Sequence, residues 1–316
     1  MKTTVIGGGS WGTAFARLLV ERGHEVTLAC RDPEQVQTIA ETGHNSRYLP
    51  EVDLSDVRAV ALPEVPEAEL FVMAVPSEAF AEVAATLPEG PPVLSLTKGL
   101  DPATGNRLST LLADHRVAAL SGPNFAAEIA AGLPGAAVIA SEDEELGTWL
   151  QHEINSSIFR VYVNPDLTGV ELCAAAKNVI ALAAGGVDGL RFGDNAKAAL
   201  ITRGLAEMAR LAAACGARPE TFAGLAGMGD LMVTCWSRLG RNRRAGELIA
   251  RGATPEVAAA EIGQVVEGLT TAPVLRDLAH RLEIELPITE GVCQVLTGVD
   301  LLELVSSLMG RRPREE

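Results

Sequence analysis

The sequence predicts an α/β protein: an N-terminal, doubly wound, mostly parallel sheet followed by an all-helical C-terminal domain. Over the first half, short β-branched runs alternate with amphipathic helical stretches, which is the rhythm of βαβ units. After "NPD" at 164–166 the β-rich runs nearly vanish and the periodicity turns helical. A third observation locates the chemistry: the first strand runs straight into "GGGSWGTA".

The elements follow in order. Strands are expected at "TTVI", "EVTLAC", "LFVMAV", "PVLSLT" and "VAALSG", with helices over 11–22, 33–42 and 77–86 between them. "AAVIAS" and "FRVYVN" extend the pattern to about residue 163, where Asn164 and Pro165 supply turn residues and Asp166 a helix start. The domain boundary is therefore set there, giving 1–163 and 164–316. The second domain carries helical periodicity over 167–184, 195–215, 241–251, 255–262, 270–282 and 288–308. The charged tail from Arg311 to Glu316 reads as a frayed terminus.

Composition narrows the function. A chain of 316 residues with 47% hydrophobic content can bury two ordinary cores. With 26 basic against 41 acidic residues, a formal charge of −15 opposes nucleic acid as a partner. It does not oppose a small anion, because a local cluster of Lys and Arg dominates the potential inside a cleft. The cysteines, Cys30, Cys173, Cys215, Cys235 and Cys293, show no metal-site spacing, so reduced thiols and no metal are expected. "MKTTVIGGG" is too short in apolar residues for a signal-peptide core, and the most apolar region, "LCAAAKNVIALAAGG", has a lysine at its centre. We expect no membrane span and a cytoplasmic location.

Gly7, Gly9 and Gly12 fit G-x-G-x-x-G in its strand-to-helix context, the mark of a Rossmann dinucleotide site. The first glycine permits the tight turn, the second lets backbone approach a pyrophosphate, and the third lets the helix pack on the sheet. At the tip of the next strand an acidic residue usually takes the ribose hydroxyls of NAD, but here Arg31 stands before Asp32. A guanidinium there pairs with a 2′-phosphate, so NADPH is the expected preference, with NADH left open by Asp32.

Hydride chemistry at a carbonyl builds negative charge on the oxygen and calls for a proton donor. Lys177 stands among Cys173, Ala174, Ile180 and Ala181 at helical spacing, so its ammonium projects from an apolar face. From this helix alone it reads equally as a desolvated acid/base or as a lysine snorkelling to solvent. "GMGDLMVTC" sets Asp230 and Thr234 on one face of a short helix, with a plain helix cap as the other reading of Asp230. A carboxylate near Lys177 would oppose the desolvation shift, and the sequence gives the two terms but not their balance. Lys98 follows "PVLSLT" at a strand's carboxyl end, where ligands bind in such sheets, and Pro76 and Ser77 occupy a similar edge. "GRNRRAGE" offers Arg241 and Asn242 at a helix start as a phosphate handle, whereas Arg243 and Arg244 read as solvated charge. His24, His44, His115, His152 and His280 read as surface or structural residues.

Taken together, "GGGSWGTA", "AVPSEAF", "TKGL", "SGPNFAAE", "CAAAKNVIALAAGGVDGL", "NAKAALITRGLAEM", "GLAGMGDLMVTC", "GRNRRAGE", "GQVVEG" and "LPITEGV" resemble the bacterial NAD(P)-dependent glycerol-3-phosphate dehydrogenases over nearly the whole chain. The resemblance implies a Rossmann domain and a helical domain with substrate between them, usually in a homodimer. It implies reversible hydride transfer between NAD(P)H and dihydroxyacetone phosphate, giving sn-glycerol 3-phosphate for glycerophospholipid synthesis. Lys177 becomes the catalytic acid/base, arranged by Asp230 and Thr234, with Lys98 touching both substrate and cofactor. Further cofactor contacts fall on Ser10, Trp11, Ala126, Arg241, Val265 and Glu267, and further substrate contacts on Gly122, Asn124, Gly240, Arg241 and Asn242. Asn124 and Gly240 depart from the small hydroxyl residue usual in the family. Asn124 still donates and accepts hydrogen bonds, while Gly240 offers only its backbone N–H. A β-hydroxyacid or ketopantoate type of reductase, and a non-catalytic nicotinamide sensor, are the competing readings. The "GRNRRAGE" segment favours a phosphate over the first, and the intact Lys177, Asp230 and Lys98 set favours catalysis over the second.

Overall fold

The computed structural model describes residues 1–309; the tail Arg311–Glu316 lies outside the described residues. Its sheet has eight strands: β1 Lys2–Ile6, β2 Glu25–Cys30, β3 Val57–Ala61, β4 Leu70–Met73, β5 Val93–Ser95, β6 Val117–Ser121, β7 Gly135–Ala140 and β8 Phe159–Asn164. Their order is β3-β2-β1-β4-β5-β6-β7-β8, all parallel to their neighbours except that β7 runs antiparallel to β6. The order reverses between β1 and β4, so the carboxyl ends of those strands open a crevice where a ligand fits. Strands covered on both faces read as continuous apolar runs, and Leu70, Phe71, Val72 and Met73 are all buried.

Around the sheet pack α1 Ser10–Glu21, α2 Pro33–Thr42, α3 Ser77–Ala84, α4 Ala126–Ala130 and α5 Glu144–Ile154. The chain then becomes helical: α6 Leu167–Gly189, α7 Asp194–Ala214, α8 Pro219–Ala223, α9 Asp230–Trp236, α10 Arg241–Ala250, α11 Pro255–Ile262, α12 Glu267–Arg281, α13 Pro287–Leu296 and α14 Leu301–Met309. The start of α6 is set by Asp166, whose carboxylate accepts from Gly169 N at 2.9 Å. By length and composition α6 passes for a membrane span, but it lies buried as the axis of the helical domain. A Cβ on Gly246 of α10 would run into the carbonyl of Leu182, and one on Gly185 into that of Arg243. This close approach brings the start of α10 beside the middle of α6.

The single helix expected over 288–308 is instead two. Gly298, at φ +100°, turns the chain left-handed, and the Asp300 carboxylate caps the next helix by accepting from Leu302 N at 2.9 Å and Glu303 N at 3.0 Å.

Candidate active site

Four segments distant in sequence converge where the sheet's carboxyl edge meets the helices. Lys98 follows β5, Gly122 and Asn124 follow β6, Lys177 lies in mid-α6, and Asp230 and Thr234 stand one turn apart on α9. Lys177 Nζ donates to Asp230 Oδ1 at 2.6 Å and to Thr234 Oγ1 at 3.0 Å. Lys98 Nζ donates to the other carboxylate oxygen at 2.9 Å, to Asn124 Oδ1 at 3.1 Å and to Gly122 O at 3.4 Å. Asp230 thus bridges two ammonium groups and also accepts from Ser121 Oγ at 3.2 Å. Lys177 is buried and does not snorkel, and Asp230 accepts from side chains rather than capping α9.

Burial and charge now have a resolved balance. Desolvation pulls the Lys177 pKa down to about 7; Asp230 opposes the shift and the Lys98 ammonium reinforces it. For Asp230, burial pushes the carboxyl up, but the two lysines outweigh it and leave it below the ordinary carboxylate range. At neutral pH the cluster therefore holds a firm anion and a lysine near its own pKa, a group able both to give and to take a proton.

A second group of residues lines the crevice over β1 and α1. Gly7 takes φ +117°, and a Cβ there would meet Ala74 O at 2.5 Å. A Cβ on Gly12 would collide with the Gly7 carbonyl, so α1 needs a glycine to pack against this turn. Gly9 differs, with nothing within 4 Å of its Cβ position: the turn is tight behind and open in front. The first-turn N–H groups of α1, including those of Ser10 and Trp11, face that opening. Trp11's ring itself turns inward onto Phe15 and Phe159, at 5.6 and 6.3 Å between centroids, so its backbone is what the opening sees. An open glycine turn with free donors fits a dinucleotide pyrophosphate.

The helical domain reaches this crevice through Gln264, which accepts from Ser10 Oγ and from Arg241 Nη1, each at 3.4 Å. Glu267, at the start of α12, accepts from Ser77 N at 3.1 Å and Ser77 Oγ at 2.6 Å, joining α12 to α3. Ala126 opens α4, while Val265 is exposed and, like Arg31, outside these bonds. Arg31 is exposed at the tip of β2; Asp32 is occupied with the N-terminus of α2, accepting from Glu34 N at 3.0 Å.

At the start of α10, Asn242 is buried: its Oδ1 accepts from Gly268 N at 2.8 Å and its Nδ2 donates to Asn178 Oδ1 at 2.8 Å. Asn178 in turn donates to the Lys98 carbonyl at 3.0 Å, so a chain of carboxamides ties α10 and α12 to the Lys98 loop. This leaves Asn242 one amide hydrogen for a ligand. Gly240 is the N-cap of α10, and a Cβ there would approach Thr234 O to 2.7 Å, so this backbone excludes the side chain usual in the family. One reading is overturned: Arg243 is not solvated but buried, ion-paired with Asp188 of α6 and Glu247 of α10, whereas Arg244 is exposed. Sequence reasoning also missed Ser121, Asn178 and Gln264. Position at the carboxyl end of β6 pointed to the first, and adjacency to Lys177 to the second. An apolar hollow of the helical domain, lined by Leu182, Phe192, Pro287, Val292 and Leu301 among others, carries no polar side chain and includes none of these groups.

A dinucleotide-binding sheet joined to a helical domain that presents a buried lysine–aspartate pair at the sheet's carboxyl edge defines the class of nicotinamide-dependent oxidoreductases. Comparison with known proteins makes the assignment finer. Residues 2–147 match the profile described as NAD-dependent glycerol-3-phosphate dehydrogenase N-terminus, and residues 166–305 match its C-terminus. The chain belongs to that family. A glycerol-3-phosphate dehydrogenase [NAD(P)+] of Moorella thermoacetica is 46% identical over 321 residues, covering 98% of this chain and 96% of that protein. One of Escherichia coli is 44% identical, covering 99% and 96%. The crystal structure of the Coxiella burnetii glycerol-3-phosphate dehydrogenase superposes with a TM-score of 0.94 at 37% identity, covering 98% of this chain and 99% of that one.

Proposed function

We propose that this chain catalyses reversible hydride transfer between NAD(P)H and dihydroxyacetone phosphate, producing sn-glycerol 3-phosphate, a backbone for glycerophospholipid synthesis. The observation that carries the proposal is the buried Lys177 ammonium, clamped by Asp230 and Thr234 and flanked by Lys98. The nicotinamide, when bound, supplies or accepts the hydride. Lys177 gives its proton to the carbonyl oxygen as reduction proceeds and takes it back in oxidation. Lys98 stabilises the charge growing on that oxygen. Asp230 and Thr234 hold the Lys177 amine in one orientation, which lowers the entropy cost of the transfer.

The substrate's other end needs cationic and amide donors. Arg241 is solvent-accessible, yet desolvation by the surrounding crevice lowers its pKa, and its guanidinium is the forked donor suited to a phosphate. Asn242 adds its remaining amide hydrogen, whereas the Gly240 N–H expected to help is already donated to Ser237 O at 3.2 Å. Asn124 Nδ2 is buried without a partner among the described residues, while its Oδ1 is fixed on Lys98; an unpaired donor beside the reacting lysines is what a substrate oxygen would satisfy. Gly122 borders the same pocket. Ser10, Trp11, Ala126, Val265 and Glu267 complete the cofactor's surroundings.

The proposal divides the chain into a cofactor domain of 1–163 and a substrate domain of 164–316, supported by β8 ending at Asn164 and α6 starting at Leu167. Free cysteines, four of the five buried, support the cytoplasm as its compartment. A homodimer rests on the family resemblance.

A matrix of NADH and NADPH against dihydroxyacetone phosphate, ketopantoate and short β-ketoacids, run without added metal, tests the proposal. Oxidation of the cofactor is expected with the phosphate alone. Turnover of a ketoacid with none of dihydroxyacetone phosphate would reject it. NADPH is the proposed preference, because Arg31 is exposed and has no hydrogen bond or ion pair among the described residues, while Asp32 is committed to α2. Arg31→Ala is expected to weaken NADPH about 10- to 150-fold, the worth of a charge-assisted hydrogen bond, and NADH by less than about twofold. Equal losses in a fluorescence titration would show that Arg31 reads no 2′-phosphate.

A further inference from the structure

The glycine-rich turn is held from behind by two side-chain amides. Gly8 O accepts from Gln35 Nε2 of α2 at 2.6 Å and from Asn45 Nδ2 at 3.0 Å. The two amides are joined to each other, Gln35 Nε2 donating to Asn45 Oδ1 at 3.1 Å. Asn45 is completely buried; it also donates to Thr13 Oγ1 of α1 at 2.8 Å and accepts from Tyr48 N at 3.2 Å. Every polar atom of that side chain is therefore engaged, which makes it a rigid post between α1, α2 and the turn.

A trans peptide points its C=O and N–H in opposite directions. Fixing Gly8 O towards α2 therefore fixes Gly9 N–H towards the open front of the turn. That N–H has no acceptor among the described residues, and no atom lies within 4 Å of the Gly9 Cβ position. The Gly8–Gly9 peptide has no Cβ on either side and is the freest kind of peptide to rotate, so something outside it must set its orientation. Rotated the other way, it would present a carbonyl oxygen to an anion.

We propose that Gln35 and Asn45 are positioning residues for the cofactor pyrophosphate, a two-carboxamide brace that turns the Gly8–Gly9 N–H towards the anion. The inference rests on the reading of α1 as the dinucleotide site. Because the pyrophosphate is common to both cofactors, the brace serves NADH and NADPH alike, unlike Arg31.

The test is Gln35→Leu and Asn45→Ala in the full chain, with titration of NADH, NADPH, ADP and adenosine. Each variant is expected to raise the Kd of NADH, NADPH and ADP about 5- to 30-fold, by one common factor for the two dinucleotides, with adenosine changed less than about twofold. At saturating cofactor, kcat and the KM of dihydroxyacetone phosphate stay within about threefold. Unchanged dinucleotide affinity beside a lowered Tm would make the pair merely structural, and an equal loss on adenosine would mean general disturbance; either result overturns the brace. If Asn45→Ala does not fold, Gln35→Leu at its partly exposed position decides alone. Wild-type protein that binds none of NADH, NADPH or ADP would instead overturn the dinucleotide site, and the brace with it.

Discussion

Lys177→Ala is expected to lower kcat by about two to four powers of ten, the range for loss of a general acid/base, while NADPH binding stays within about threefold. The split follows from position: Lys177 is bonded to Asp230 and Thr234 and to nothing in the glycine turn or its Gln264 bridge. Lys177→Arg should not rescue, because a guanidinium stays protonated and returns no proton in the physiological range. The pH profile carries the sign. With the lysine pKa drawn down to about 7, the protonated form needed for ketone reduction dominates below that pH, so kcat/KM for reduction falls as pH rises through about 7. Oxidation of sn-glycerol 3-phosphate needs the neutral amine and rises through the same range. Steady-state kinetics in both directions checks the two limbs, and turnover of the alanine variant within threefold of wild type would remove Lys177 from the chemistry.

Why this lysine was legible, and its charge state was not, says what a sequence carries. The apolar neighbours of Lys177 follow from helical spacing alone, and so does the pairing of Asp230 with Thr234. That Asp230 stands between Lys177 and Lys98 depends on residues 98, 177 and 230 meeting in space, which no local period encodes. The same holds for Arg243: with Arg244 it reads as solvated charge, but Asp188, 55 positions away, draws its guanidinium into the protein. The strands of the sheet's centre were plain because burial on both faces makes them uninterrupted apolar runs. The edge strand β3, Val57–Ala61, has only one buried side and an exposed Arg58, and it escaped notice. Helix α5 escaped too, although Asp143 caps it by accepting from Leu146 N at 2.9 Å and two glutamates follow, a start signal visible in the sequence. The brace on Gly8 was invisible for a further reason: Gln35 and Asn45 act through a backbone carbonyl, and a side chain's choice of carbonyl leaves no mark on spacing.

The remaining large effect belongs to Asp230. Asp230→Asn keeps the shape but removes the anion from between two ammonium groups that lie 2.6 and 2.9 Å from its oxygens. Breaking one side of a buried ion pair typically costs about 3–5 kcal/mol, because the charge left behind has neither water nor a partner. Here Lys177 has an escape: burial and Lys98 both press its pKa down, and without the carboxylate nothing opposes them, so it sheds its proton well below pH 7. Two results are expected together. At pH 7.5 ketone reduction falls at least about a hundredfold, because the proton donor is gone, while oxidation falls less, since the neutral amine remains. Stability follows by linkage: Lys177 has a folded-state pKa below its unfolded value of about 10.4, so between the two the unfolded chain binds more protons and stability rises with pH. The variant's deficit in Tm is therefore widest in mild acid, where its lysine is forced to stay charged, and narrows as pH climbs through the lowered pKa. Thermal melts from pH 5 to 9, beside rates in both directions, check the pair of outcomes. A deficit that grew with pH, or equal losses in the two directions, would mean that Asp230 does not hold the Lys177 proton.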